Sequence, residues 1–212
     1  MLVAIEGIAG AGKSTVRDRL LAESAASGSP AVDLGQFSWL DPGSTRTLIE
    51  LRNGQRPSGS LDAALHDLRS HVAFNLAPAR DAGPVLADRW VISTACLLAA
   101  INRRPVSYYL GRLAADEAAH PDITVLLNTP VHVCLARLWK RESPRRFIEE
   151  PGIANRLAQL YDDAAETWIR LTGKKLIRHS CRTSADLDTI TRRCLTLIGL
   201  DASNKEEPCH AP

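Results

Sequence analysis

Residues 7–15 read Gly-Ile-Ala-Gly-Ala-Gly-Lys-Ser-Thr and follow directly on the apolar run Leu2-Val3-Ala4-Ile5. The stretch is a full match to the phosphate-binding loop pattern, in which a strand ends, a tight turn follows and a helix begins. Successive backbone N–H groups and the helix N-terminus must then converge on phosphate oxygens, and the glycines permit that close approach. The pattern predicts a buried first strand, a helix continuing through 16–26, and a nucleoside triphosphate as ligand. Gly7, Gly10, Ala11, Gly12, Lys13, Ser14 and Thr15 are its candidate binding residues, with Lys13 beside the β- and γ-phosphates and the Ser14 hydroxyl on magnesium. The competing reading is a glycine-rich turn that caps an ordinary helix, and the strand-loop-helix context disfavours it.

Beyond the loop, short apolar runs alternate with long helix-compatible stretches. Leu2–Glu6, 31–34, 85–87, Ile123–Leu127 and 175–177 are the strand candidates. Five strands separated by helices predict an α/β fold, the P-loop NTPase arrangement: a five-stranded parallel sheet with helices on both faces and ligands at the strands' carboxyl ends. Segment 60–82 begins with a serine followed by an acid and carries Leu61, Leu65, Leu68, Val72 and Leu76 at helical spacing, so it reads as one helix started by Ser60. Segments 130–141 and 153–172 form a second helical pair around a charged, proline-containing connector. Residues 52–59 read as a polar loop, and His66 and His71 as helix-surface residues.

A length of 212 residues with 45% apolar content suits one core, predicting a single domain over 1–201 and a frayed polar tail at 202–212. A formal charge of +2 gives no general surface for a nucleic-acid polymer or a membrane. Cys96, Cys134, Cys181, Cys194 and Cys209 lack paired spacing and read as reduced thiols. The chain enters its first strand at once, and no apolar run approaches membrane-spanning length, so a cytoplasmic location is expected.

Phosphoryl transfer depends on positioning and on stabilising negative charge, so cations and a metal carboxylate are the groups to find. Asp88-Arg89-Trp90 follows 85–87 immediately and belongs at the carboxyl end of a buried strand, beside the loop. Asp88 is a candidate to hold magnesium through water or to accept a proton, and Arg89 to hold an acceptor's anionic group. A purely structural Asp–Arg pair is the alternative. Arg137, Lys140, Arg141, Arg145 and Arg146 lie before or inside the connector, where a mobile segment over about 141–151 would close as an arginine-rich lid. A solvated cationic helix end competes with that role, and Arg137 is open to a structural one.

These motifs resemble the thymidylate kinase family of nucleoside monophosphate kinases. The likeness lies in Ile5-Glu6-Gly7-Ile8 with the loop, Asp88-Arg89-Trp90 followed by Ser93, Pro121 to Leu127 then Pro130, Arg137, and Arg145-Arg146-Phe147 with Glu149. It implies ATP with Mg2+ as donor, a nucleoside monophosphate as small-molecule acceptor, an adenine loop near Arg182, lid-borne basic residues and a homodimer. Departures fall where the family recognises its acceptor. Ala9 stands in an acid's place, Leu40 in an arginine's, and Leu97-Leu98 in those of a Tyr-Gln pair; Arg69 comes one step late after Asp67, about 100° around a helix. Asp41, Arg69, Arg89 and Leu97 remain acceptor-side candidates. Phe37 and Trp39 are expected to pack beneath a loop rather than stack on a base. A kinase of a neutral nucleoside or small alcohol, with Asp88 or Asp41 as base, is the second function the residues allow. A catalytically silent nucleotide-binding regulator is the third.

Overall fold

Five strands, β1 (Leu2–Glu6), β2 (Val32–Leu34), β3 (Val85–Asp88), β4 (Ile123–Leu127) and β5 (Lys175–His179), pair entirely in parallel in the order β2-β3-β1-β4-β5. The structure, a computed structural model, describes residues 1–142 and 144–199; Cys209 and the expected tail at 202–212 lie outside the described residues. The five predicted strands are all present, with β3 reaching Asp88 and β5 reaching His179. Ile5 of β1 lies opposite Asp88 of β3 and Val125 of β4, so the loop after β1 and the Asp88 carboxylate emerge side by side at one end of the sheet. Every residue of β1 and β4 is buried, as a parallel sheet covered on both faces requires.

The covering helices are α1 (Lys13–Ala26), α2 (Pro42–Arg52), α3 (Ser60–His71), α4 (Ala77–Ala82), α5 (Val91–Asn102), α6 (Val106–Leu113), α7 (Val131–Trp139), α8 (Pro151–Thr172) and α9 (Ser184–Leu197). Helix α1 packs on α9, while α5 is buried from Val91 through Ile101 beneath α6 and α8. A helix apolar all round is a core helix, and α5 is one.

Several expectations need correction. Segment 60–82 is not one regular helix: a π-helical stretch, Val72–Leu76, separates α3 from α4 and turns Phe74 outward, 69% exposed, while Leu76 is fully buried. Ser60 is not the cap; Gly59 is, in a left-handed conformation, and the Ser60 hydroxyl accepts from Asn102 at 3.2 Å. His71 is buried. It shares the inward stripe of Ala64, Asp67 and Leu68, its Nε2 lies 3.0 Å from Gly35 O, and its ring packs at a tilt against Trp90, centroids 4.8 Å apart. Only 53–59 is loop, because Arg52 ends α2. Cys96, Cys134, Cys181 and Cys194 are free and buried, and among the described residues no helix is long and apolar enough to cross a membrane.

Candidate active site

The phosphate loop closes between β1 and α1 on contacts that admit no side chain. Gly7 and Gly10 have φ of 136° and 80°, and a Cβ at either would stand 2.5 Å from a carbonyl oxygen, that of Leu127 or of Cys134. Gly12 caps α1, whose first N–H groups are therefore offered to an anion. Lys13 is buried and its Nζ donates to Ile8 O at 2.8 Å. Burial, reinforced by the charge of Arg89, lowers its pKa well below that of an ordinary lysine, a shift that an adjoining phosphate reverses. Arg137 braces this end, donating to Gly10 O (3.2 Å), Cys181 O (2.7 Å) and Arg182 O (3.1 Å). The Thr129 hydroxyl does the same, donating to Ala11 O and accepting from Cys181 N, each at 3.0 Å.

Asp88 stands beside the loop, its Oδ2 accepting from Ser14 Oγ at 3.5 Å. Its Oδ1 is buried without a hydrogen-bond partner among the described residues, an orphaned acceptor that fits a hydrated cation. Among those residues no three acids, histidines or cysteines cluster for a metal, so Ser14 and Asp88 suit magnesium only with nucleotide phosphates supplying further ligands. Arg17 approaches the same Asp88 Oδ2 at 3.2 Å, and also Asp18 at 2.8 Å and Asp33 at 3.8 Å. Its signal in the sequence is its place three residues after Ser14, on the same helix face.

On the other side of Asp88, Arg89 has a left-handed φ of 71°, a conformation costing a non-glycine residue about 1–3 kcal/mol and retained only where surroundings impose it. Its Nη1 donates to Gly7 O and Tyr161 OH, both 2.9 Å, and to Ser93 Oγ at 3.4 Å. Its other two guanidinium nitrogens have no hydrogen-bond partner among the described residues. Glu6, fully buried beneath, accepts from Trp90 N (3.0 Å), from Ser93 N (3.2 Å) and from the Ser93 hydroxyl. With its one proton given to Glu6, Ser93 accepts from Tyr161 OH at 2.6 Å. Burial raises the pKa of both Glu6 and Tyr161, which keeps the tyrosine protonated.

A cavity of about 430 Å³ joins these parts, walled by Lys13, Arg52, Arg89, Arg137, Arg141 and Arg146 against only two carboxylates, Asp88 and Glu149. Burial, then the charges of Arg146 and Arg89, lower the pKa of Arg52 from its ordinary value. None of Arg52, Arg89 and Arg146 has an ion-pair partner among the described residues. Such unpaired, mutually repelling guanidinium groups are relieved by a multiply charged anion.

Gly10, Gly12, Lys13, Ser14, Thr15, Asp88, Arg89, Leu97, Arg137, Arg141 and Arg146 line this cavity, while Gly7 and Ala11 lie behind it. Four further candidates do not line it. Asp41 is the N-cap of α2, accepting from Ser44 N at 2.6 Å. Arg69 is exposed, since the inward face of α3 is occupied by Asp67, which accepts from Ser38 and Trp39. Arg145 lies 5.6 Å over the Trp139 ring, and Arg182 is exposed, its carbonyl accepting from Arg137 and its backbone N–H donating to Asp186. Phe37 is buried, but Trp39, 41% exposed with φ 57°, lines the cavity instead of packing beneath a loop. Gln36, Arg52 and Tyr161, which no sequence motif marks, line the cavity as well. A helix from the Asp41-Pro42 start, with Leu48 and Leu51 on its buried face, is the signal that would have carried Arg52 to the cleft.

A glycine-built phosphate cradle at the carboxyl ends of five parallel strands, opening into a cationic cleft beside an orphaned carboxylate, defines the class of P-loop phosphotransferases. No protein-family model matches the chain. It is 30% identical over 200 residues to a thymidylate kinase of Xanthomonas campestris pv. campestris strain B100, covering 93% of this chain and 82% of that one. A thymidylate kinase of Xylella fastidiosa strain M23 is 32% identical over 204 residues, covering 93% and 86%. That of Xanthomonas euvesicatoria pv. vesicatoria strain 85-10 is 32% identical over 201 residues, covering 93% and 83%. The chain belongs to the thymidylate kinase family, as its motifs indicate, and is an ATP-dependent phosphotransferase of the nucleoside monophosphate kinase type.

Proposed function

We propose that the chain transfers the γ-phosphoryl group of ATP to the phosphate of a pyrimidine nucleoside monophosphate, thymidylate first among them. The observation that carries the anionic acceptor is the unpaired trio Arg52, Arg89 and Arg146 facing one cavity. ATP is assigned to the side of β4, where Arg137 and Leu187 line the cleft, and the acceptor to the side of β2, where Gly35, Gln36, Trp39, Arg52 and Leu97 line it. An acceptor phosphate oxygen bonds to the γ-phosphorus as the bond to the β–γ bridging oxygen breaks, leaving ADP. The attacking oxygen is already anionic, so no base is required and Asp88 is free for the metal. Magnesium, when bound, neutralises charge on the β- and γ-phosphates, with Ser14 and Asp88 as the residues that would hold it. Lys13, Arg141 and Arg146 supply further positive charge to the transferring group, and the lid about 141–151 closes from a resting place where Phe147 packs directly on Gly54.

The same reading places one kinase domain over 1–201 in the cytoplasm, acting as a homodimer. Light scattering of the purified chain tests the last. The activity is tested by initial rates with ATP and magnesium against matched monophosphates, nucleosides and small alcohols. Monophosphate turnover should exceed that of the matching nucleoside by at least about 100-fold, since uncompensated cations discriminate strongly against a neutral acceptor. Equal rates would return the neutral acceptor to first place, and ATP binding without transfer would establish the regulator.

A further inference from the structure

We propose that Gln36 reads the acceptor's base, its Oε1 accepting from the ring N–H of an oxopyrimidine; this rests on the monophosphate reading above. The Tyr-Gln positions of α5 hold Leu97 and Leu98, and Leu98 is fully buried, so α5 presents only the apolar Leu97 to the cavity. Gln36, on the loop after β2, is the carboxamide in the cavity wall, next to Gly35 in the chain and in company with Trp39, Leu97 and Arg52. Its orientation follows from proton bookkeeping. The Thr94 hydroxyl has one proton and donates it to Trp90 O at 3.1 Å. Toward Gln36 it can therefore only accept, which assigns the 3.2 Å contact to Nε2 as donor and turns Oε1 away from Thr94. Among the described residues Oε1 has no partner, and one N–H of Nε2 is likewise left over. A fixed carboxamide with one acceptor and one donor free complements an edge on which an N–H adjoins a carbonyl, as N3–H adjoins O4 in thymine or uracil.

Position supports the same assignment. Arg52 and Arg89 line the same cavity as Gln36, so a monophosphate whose phosphate they hold has its base in the space that Gln36 faces, with Leu97 and Trp39 offering apolar surface. Base recognition has thus passed from helix α5 to the β2 loop, and Thr94 is the positioning residue that holds the amide's sense.

The test compares thymidylate with N3-methylthymidylate, which differs only in the N–H that Gln36 would read, using the wild type, Gln36→Leu and Thr94→Val at saturating ATP and magnesium. The wild type should prefer thymidylate by about 100-fold, because a carbonyl left facing a methyl group loses its hydrogen bond. In Gln36→Leu the KM for thymidylate should rise about 30-fold, kcat and the KM for ATP should stay within about twofold, and the preference over the methylated acceptor should shrink to about threefold. Thr94→Val retains the amide but frees its rotation, and should lose preference to an intermediate extent. An undiminished preference in Gln36→Leu overturns the assignment. If no monophosphate is turned over by the wild type, the parent reading falls; calorimetric binding of thymidine and N3-methylthymidine to wild type and Gln36→Leu then decides Gln36 separately, equal discrimination by the two proteins overturning it.

Discussion

At the end of the cleft nearest β4, the polar groups are backbone groups or side chains already tied to backbone: Lys13 on Ile8 O, Arg137 on three carbonyls, Thr129 between Ala11 O and Cys181 N. Nearest β2 the walls are side chains contributed by separate elements, three with unused hydrogen-bonding capacity, Gln36 from the β2 loop, Arg52 from α2 and Arg89 after β3, and one apolar, Leu97 from α5. On the proposed assignment the first end recognises what every nucleoside triphosphate shares, so backbone geometry suffices there. The second, on the same assignment, chooses among acceptors through side chains that can be exchanged without disturbing the sheet.

Substitutions at the two ends should therefore fail differently. The largest effect is expected from Lys13→Ala: kcat should fall about 1000-fold, the order seen when a preorganised charge at the reacting group is lost. Because burial depresses the lysine's pKa, holding it charged at neutral pH opposes folding, and its removal should leave the melting temperature of the free protein unchanged or higher. A parallel loss of stability would show Lys13 to be structural. Next is Arg52→Leu, which should raise the acceptor KM about 10- to 100-fold while sparing the KM for ATP; an equal rise in both would erase the distinction between the ends.

A smaller, pH-dependent effect belongs to Glu6, which underlies the acceptor end through Ser93 and Trp90. Its folded pKa is raised above 4.5, so the folded protein binds the proton more tightly than the unfolded chain does. The corresponding stability is complete below about pH 4.5 and is lost as pH rises through the folded value. Glu6→Gln should flatten that decline in urea-melt midpoints between pH 4 and 8; an unaltered slope would assign the decline to other groups. Smallest is Asp41→Ala, which should lower the melting temperature by about 2–4 °C through loss of the α2 cap and leave acceptor kinetics unchanged. A selective rise in acceptor KM would put Asp41 back in the site.

The legibility of these regions follows their construction. The strand at Leu2–Glu6, the loop at 7–15 and the placement of Asp88 are local matters: glycine spacing, one apolar run and one strand end decide them, and they stand where the residues indicate. Arg145 and Arg146 are adjacent in sequence, yet one lies over Trp139 and the other lines the cavity, a choice made by lid packing rather than by composition. Arg69 and His71 show the same limit, since tertiary packing decides that the stripe of Ala64, Asp67, Leu68 and His71 is the face of α3 that is hidden. Sequence alone thus determined the glycine-rich loop, the parallel sheet and the Asp88 carboxylate beside that loop, because hydrogen bonding and chain geometry within a few residues specify them. Only the tertiary structure decided the opposite wall of the cavity, bringing Gln36, Arg52, Leu97 and Tyr161 together across as many as 125 positions, since their proximity comes from how α2, α5 and α8 pack on the sheet.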